Sequence, residues 1–327
     1  MFLASPATIL AQAKTAWKTN AAENRRIVLL HAAAALGLPL VVMAINLLLN
    51  QPLLGTGGLS GIGFRSVLET VQTVLSSATQ ILLPFWQLGL FCSALWISRG
   101  EEAITDHLFE GFRRWGAALR LMILRTLQYF IRIFVGVFIG STIFMITPFS
   151  ENFLKVTAAI ANDPAYANAT AEELMAAIVN LASFWDIALC YILCILGAAI
   201  LAVPLFYRYR MSDYVLLDSA RPGALLALQK SAQMMRGNAK RLFALDLKLW
   251  WYYLLLLLPA LLSYGDLILP ALGVRLPLSE DWVLAVFSLL SSAIQFAIYY
   301  LFRGQVETAY ACAYESLKTT EGGNEPL

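Results

Sequence analysis

The chain has 327 residues, of which 59% are hydrophobic and only 13% charged, and its formal net charge is +2. Soluble globular proteins run at about 45–50% apolar and about 25% charged residues. A water-soluble domain of this length has no interior large enough for that excess, so an ordinary soluble fold is excluded. The net charge decides little, while the places where the charges fall decide much.

From the start, residues 4–20 read as a short amphipathic helix, with Ile9, Leu10, Ala13 and Trp17 on one side and Lys14 and Lys18 on the other. The first apolar run follows Arg25 and Arg26, covers about 27–49, and is long enough to span a bilayer. Pro39 falls inside it. The glycine-rich stretch Gly55 to Gly63 follows no strand and fits no phosphate-binding pattern, so it reads as an outer turn. Span two covers about 70–97, with Pro84 inside. A second amphipathic helix is expected next, from Ile104, Leu108, Phe112, Trp115 and Leu119 at spacings of three or four.

Span three covers about 121–147. The segment 148–182 is the longest outer connection, and Thr170 with Glu173 has the form of a capping box, which predicts a helix start there. Span four runs from about 184 to 207, with Pro204 inside. A third amphipathic helix occupies Leu225 to Met235, where Leu225, Leu228, Ala232 and Met235 share one face. Two readings fit it: a helix in the lipid headgroup layer, or a solvated helix packed on the spans. Span five covers about 242–262 and span six about 282–302. The polar tail 318–327 is expected to be disordered.

Lysine and arginine place the two sides. Arg65, Lys155 and Arg275 fall on one side, and nearly all the other cations accompany the amphipathic helices on the opposite one. The positive-inside rule then puts both termini in the cytoplasm, which requires an even number of spans. The fold class is all-α, a polytopic bundle of six transmembrane helices forming a single membrane domain over 1–317.

The order amphipathic helix, span, span occurs three times, over about 4–97, 100–207 and 221–303. Without gaps, Arg25, Arg120 and Arg241 align, as do Leu29, Leu124 and Leu245, and the small residues Ala21, Gly116 and Gly237. Three parallel repeats are therefore expected, each an amphipathic interfacial helix followed by a transmembrane hairpin.

The stretch from Tyr207 to Trp251 pairs a Tyr- and Arg-containing end of a span with a short link. A helix carrying Ser231, Met235 and Gly237 comes next, followed by the Leu-Phe-x-Leu start of a new span, Leu242 to Leu245. In this the chain resembles the domain of unknown function 975 family of bacterial integral membrane proteins. The resemblance implies a bacterial plasma-membrane location and a fold, but no chemistry.

Ionisable or polar groups inside spans are functional candidates because burying them in lipid is expensive. They are Arg125, Arg132, Asp246, Gln80, Gln87, Gln295 and His31. Arg125 and Asp246 are equivalent in the repeat, so they are expected at equal depth, either as partners across the bundle or each shallow enough to reach the interface by snorkelling, the reading favoured for Arg125. His31 reads as an interhelical hydrogen-bond partner rather than a ligand, and Asp186 as a residue meeting outer water. Arg25, Arg120, Arg241, Lys230 and Arg236 are candidates for lipid headgroup contact, with anionic lipid at the cytoplasmic face as the expected partner. Cys92, Cys190, Cys194 and Cys312 read as packing residues.

No H-E-x-x-H, G-x-S-x-G or paired intramembrane aspartates occur, so no enzyme, metal or cofactor is expected, and the cations follow the spans rather than forming a nucleic-acid patch. Two functions remain. One is a permease or the membrane component of a transport or export system, with a site between repeats, favoured mildly by Pro39, Pro84, Pro204 and Pro259. The other is a non-transporting scaffold that binds lipid or a partner. A partner subunit or a homo-oligomer is compatible with both.

Overall fold

A computed structural model describes residues 3–49, 58–166, 169–170, 173–174, 177, 184–219, 223–265 and 280–322. Among them all regular structure is helical. In chain order the helices are α1 (Pro6–Thr19), α2 (Ala21–Leu49), α3 (Gly58–Ser98), α4 (Glu110–Arg113), α5 (Trp115–Met145), α6 (Phe149–Asn162) and α7 (Phe184–Tyr209). They continue as α8 (Ser212–Asp218), α9 (Ala224–Met234), α10 (Ala239–Lys248), α11 (Trp250–Leu262), α12 (Glu280–Ile298) and α13 (Gly304–Gly322). A 3-10 turn, Thr105–Phe109, precedes α4, and a π turn, Tyr299–Arg303, joins α12 to α13.

Among the described residues five helices are long and apolar enough to cross a membrane, or six if the pair α10 and α11 is one broken span. The solvent that suits them is lipid. On α5 the side chains of Phe130, Phe134 and Phe138 recur every fourth residue and are each about 65% exposed. Burying such a side chain from water is worth roughly 1.5–3 kcal/mol, so a stripe of them facing water would be strongly unfavourable.

The chain forms two compact units, Met1–Leu119 with Met211–Leu327, and Arg120–Arg210. In the first, α13 packs against α1, α2 and α3, and its Tyr310 and Tyr314 are the largest fully buried side chains. The short helix α8 buries residues on every side, from Ser212 to Leu217. Tyr214 stacks on Tyr314, with centroids 5.7 Å apart, and donates to the Glu307 carbonyl at 3.3 Å. α1 is capped by Ser5, whose Oγ accepts from the Thr8 N–H, and it buries Ile9, Ala13 and Trp17, the face expected from the sequence. The chain start is tied down as well: the Leu3 N–H donates to Asn238 Oδ1 at 2.8 Å beside the turn at Gly237, where φ is +83° and glycine is favoured.

In the second unit α5 and α7 touch backbone to backbone. A Cβ on Gly136 would stand 2.4 Å from the Gly197 carbonyl oxygen, and one on Gly140 2.4 Å from that of Leu193. Small residues four apart allow such an approach in membranes, where dispersion rather than the hydrophobic effect holds helices together. α6 follows span three directly, and Phe153 meets Phe144 edge-on. Asp186 is buried and accepts from Asn152 Nδ2 at 2.8 Å, so it does not simply face water. The capping box is present: the Thr170 N–H donates to Glu173 Oε2 at 2.7 Å and the Glu173 N–H to Thr170 Oγ1 at 3.3 Å.

Several expectations are revised. The expected helix over 100–120 is a 3-10 turn, α4 and the start of α5, broken at Arg114; Leu108 is buried, while Ile104 and Trp115 face outward. α3 begins at Gly58, inside the expected glycine turn, whose first residues, Gly55 to Gly57, lie outside the described residues. Span five is not one rod but bends by 62° where α10 meets α11. The helix after span six continues past Lys318 to Gly322; residues 323–327, Arg221 and Arg275 lie outside the described set.

Candidate functional site

Charged side chains of the first unit gather where α3, α8 and α13 end. Arg99, just past α3, lies 2.5 Å from Asp218 on α8 and 2.6 Å from Glu315 on α13. Asp218 also takes Lys318 at 2.7 Å and the Tyr314 hydroxyl at 2.9 Å. Arg114 pairs with Glu110 at 2.7 Å and donates to the Leu216 and Ser219 carbonyls at 3.0 and 2.8 Å. That guanidinium satisfies acceptors which the C-terminal turn of α8 leaves open, and its charge complements the helix dipole. The sequence gives no spacing signal for this network, because its partners lie 119 and 216 positions from Arg99.

Next to it, His107 stacks on Trp96, ring centroids 4.8 Å apart, and its Nδ1 accepts from the Ile104 N–H at 3.3 Å. Burial holds the imidazole below its ordinary pKa; Asp106, Glu110 and Glu101 oppose that and Arg113 adds to it. A depressed histidine binds fewer protons folded than unfolded, so stability is full above its ordinary value of 6.5 and is lost as pH falls through it. Thermal unfolding in detergent micelles should therefore shift to lower temperature on acidification from neutral pH. His107→Gln should make that part of the profile shallower; an unchanged slope in the variant would assign it to other groups.

Of the residues singled out within spans, His31, Asp246 and Gln295 of the first unit have different neighbours. His31 is buried, its ring parallel to that of Trp86 at 6.4 Å, and the interhelical bond runs from Trp86 Nε1 to the His31 carbonyl at 3.2 Å rather than to the ring. Asp246 accepts from the Tyr310 hydroxyl at 2.5 Å, and Tyr310 also bonds Tyr253. Gln295 donates to Tyr299 at 3.3 Å, Gln87 is half-buried and Gln80 is exposed. Arg125 and Arg132 belong to the other unit, with Arg132 exposed. A buried pair that sequence reasoning passed over is Arg303 with Glu307, 3.0 Å apart.

Of the expected headgroup cations, Arg25, Arg120, Lys230 and Arg236 are exposed. Arg241 is also exposed, and its guanidinium donates to the Leu3 carbonyl at 2.5 Å. α9 packs on α8 and buries Ala224, Ala227, Leu228, Ser231 and Met234. The buried face is thus turned from the expected one, because Leu225 points outward with Leu226. α10 buries Leu242 and Leu245 and leaves Phe243 and Leu247 exposed, continued by Trp250.

Where α10 turns into α11 a cavity of about 290 Å³ opens. It is lined by Leu10, Ala13 and Lys14 of α1, by Lys248, Leu249 and Trp251 at the bend, and by Phe302, Gln305 and Val306. Trp251 meets Phe302 edge-on at 5.0 Å, forming one wall.

The model of the family described as Protein of unknown function (DUF975) matches residues 8–321, nearly the whole chain. The chain belongs to this family. The match reaches from α1 through α13, so both the surface helices and the spans are DUF975 features rather than additions to a smaller core. No curated protein and no solved structure matches it.

Proposed function

We propose that this DUF975 protein is a non-transporting, multi-pass membrane protein whose collar of short surface helices binds the anionic face of the bilayer. The observation that carries the reading is the outward side of those helices. Leu225 and Leu226 stand exposed beside Lys230, and Phe243, Leu247 and Trp250 beside Lys240. Apolar side chains flanked by cations suit the headgroup boundary, where the apolar part enters the acyl region and the cations meet lipid phosphates. On this reading the collar lies at the cytoplasmic face of a bacterial plasma membrane, with both termini on that side.

The repeat belongs to the same proposal. Three times a short surface segment precedes a span: α1 before α2, the 3-10 turn and α4 before α5, and α9 before α10. At each junction stands a small residue, Ala21, Gly116 or Gly237.

Transport is the second reading. The 62° break between α10 and α11 and the prolines within α2, α3, α7 and α11 favour it, since broken helices can expose backbone to a substrate. The engagement of Asp246 and Gln295 by neighbouring tyrosines weighs towards binding. Purified protein reconstituted into vesicles decides between them. The binding reading expects tighter association with phosphatidylglycerol than with phosphatidylcholine vesicles, weakened by added salt, and no flux from a solute panel; saturable flux would replace it with transport.

A further inference from the structure

The cavity at the α10–α11 bend combines two chemistries, and surface attraction by the collar does not use it. We propose that it seats the headgroup and chain roots of one anionic phospholipid from the leaflet on the collar side. The proposal rests on the reading that the collar meets an anionic leaflet, and it adds a discrete site to that diffuse attraction.

Its rim carries the exposed Lys14, Lys248 and Gln305: two ammonium groups and an amide, with no carboxylate among the lining residues. A phosphodiester matches that rim, with the ammonium groups as charge-assisted donors. The walls are apolar, with Leu249 and Val306 buried and Trp251 set against Phe302. Free phosphate would satisfy the rim and leave those walls without a partner, whereas an amphiphile satisfies both. The volume is at the lower end of small-ligand pockets, about 300 Å³, so it takes a headgroup and the start of the chains rather than a whole lipid. The remainder has a path along α11, which leads away from the cavity with Leu254, Leu257, Leu258 and Leu261 exposed.

The lysines come from α1 and α10, far apart in sequence, so a lipid seated between them would fasten the chain start to the bend. The test uses the full chain, purified in neutral detergent, with native mass spectrometry to count retained lipid. Wild type should keep one phosphatidylglycerol after activation that strips the rest, and no phosphatidylcholine. Lys14→Gln with Lys248→Gln should weaken retention about thirtyfold, at about a fivefold loss per lysine. Gln305→Trp should block the site without changing its charge and without touching a buried position. Lys230→Gln with Arg236→Gln should lower association with anionic vesicles yet leave the retained lipid in place. If wild type shows no vesicle preference but keeps the single lipid, the collar reading fails and the site stands. If both pocket variants retain lipid as wild type does, or inorganic phosphate displaces it at equal concentration, the proposed site is overturned.

Discussion

Gly89→Ala is expected to destabilise the protein by about 3 kcal/mol or somewhat more, the upper range for overpacking a filled interior. A Cβ there would stand 2.0 Å from the Leu108 carbonyl oxygen and 2.6 Å from its Cα, so backbone rather than a flexible side chain must give way. The contact repeats one turn on, where a Cβ on Gly111 would stand 2.1 Å from the Phe85 carbonyl oxygen. Together these glycines seat the 3-10 turn and α4 against α3, with Leu108 fully buried between them. Displacing that segment would also loosen Arg114 from the end of α8. Gly37 is the control: nothing lies within 4 Å of its added Cβ, so Gly37→Ala should be neutral or stabilising by up to about 1 kcal/mol. Tryptophan-monitored unfolding in detergent should separate the two variants clearly, and equal melting temperatures would contradict the packing described.

Arg303 and Glu307 carry the second large effect. Their side chains are only 13% and 7% exposed, the charges are 3.0 Å apart, and the guanidinium lies over the Tyr299 ring at 5.0 Å. Removing either partner alone leaves a buried charge, which typically costs about 3–5 kcal/mol. Arg303→Met and Glu307→Leu should each show that loss, while the double variant should recover most of it, because apolar groups of similar size can replace a buried ion pair at little cost. A double-mutant cycle measures this directly; additive losses would mean that the two residues act independently. Arg303 is the last residue of the π turn Tyr299–Arg303, a kind of turn frequent at functional sites.

Much of the membrane architecture is legible in the sequence because lipid imposes long apolar helices and water imposes amphipathic ones. The buried face of α1 and the capping box at Thr170 follow from spacing alone. α8 and α13 do not, for one physical reason: both are buried around most of their circumference, so neither carries a one-sided stripe. In α13 Ala309, Ala311 and Ala313 let Tyr310 and Tyr314 pack deeply, a pattern that resembles the end of a span as much as a core helix. The bend at Leu249 is hidden by an apolar run that continues across it. At α9, leucines occur on both sides, so composition could not decide which side would be packed; contact with α8 decides in favour of Ala224 and Ala227.

The ion-pair network shows the limit most clearly. Arg99, Arg114 and Lys318 read in sequence as three of many cations on one side of the membrane. In the fold, Arg99 and Lys318 lock α8 and α13 together through Asp218 and Glu315, and Arg114 caps α8, whereas Lys230 and Arg236 remain exposed at the surface. Charge count alone does not separate the cations that join this network from those that stay exposed.

The most direct test of the whole account is sided cysteine labelling in native membranes. In a background with the four native cysteines replaced by serine, single cysteines at Lys14, Lys230, Lys155 and Phe134 would be probed with a membrane-impermeant maleimide, on intact cells and on inverted vesicles. Positions 14 and 230 should label only in inverted vesicles, position 155 only on intact cells, and position 134 in neither. Labelling of 14 or 230 from the same side as 155, or free labelling at 134, would contradict a collar on one face of a lipid-solvated bundle.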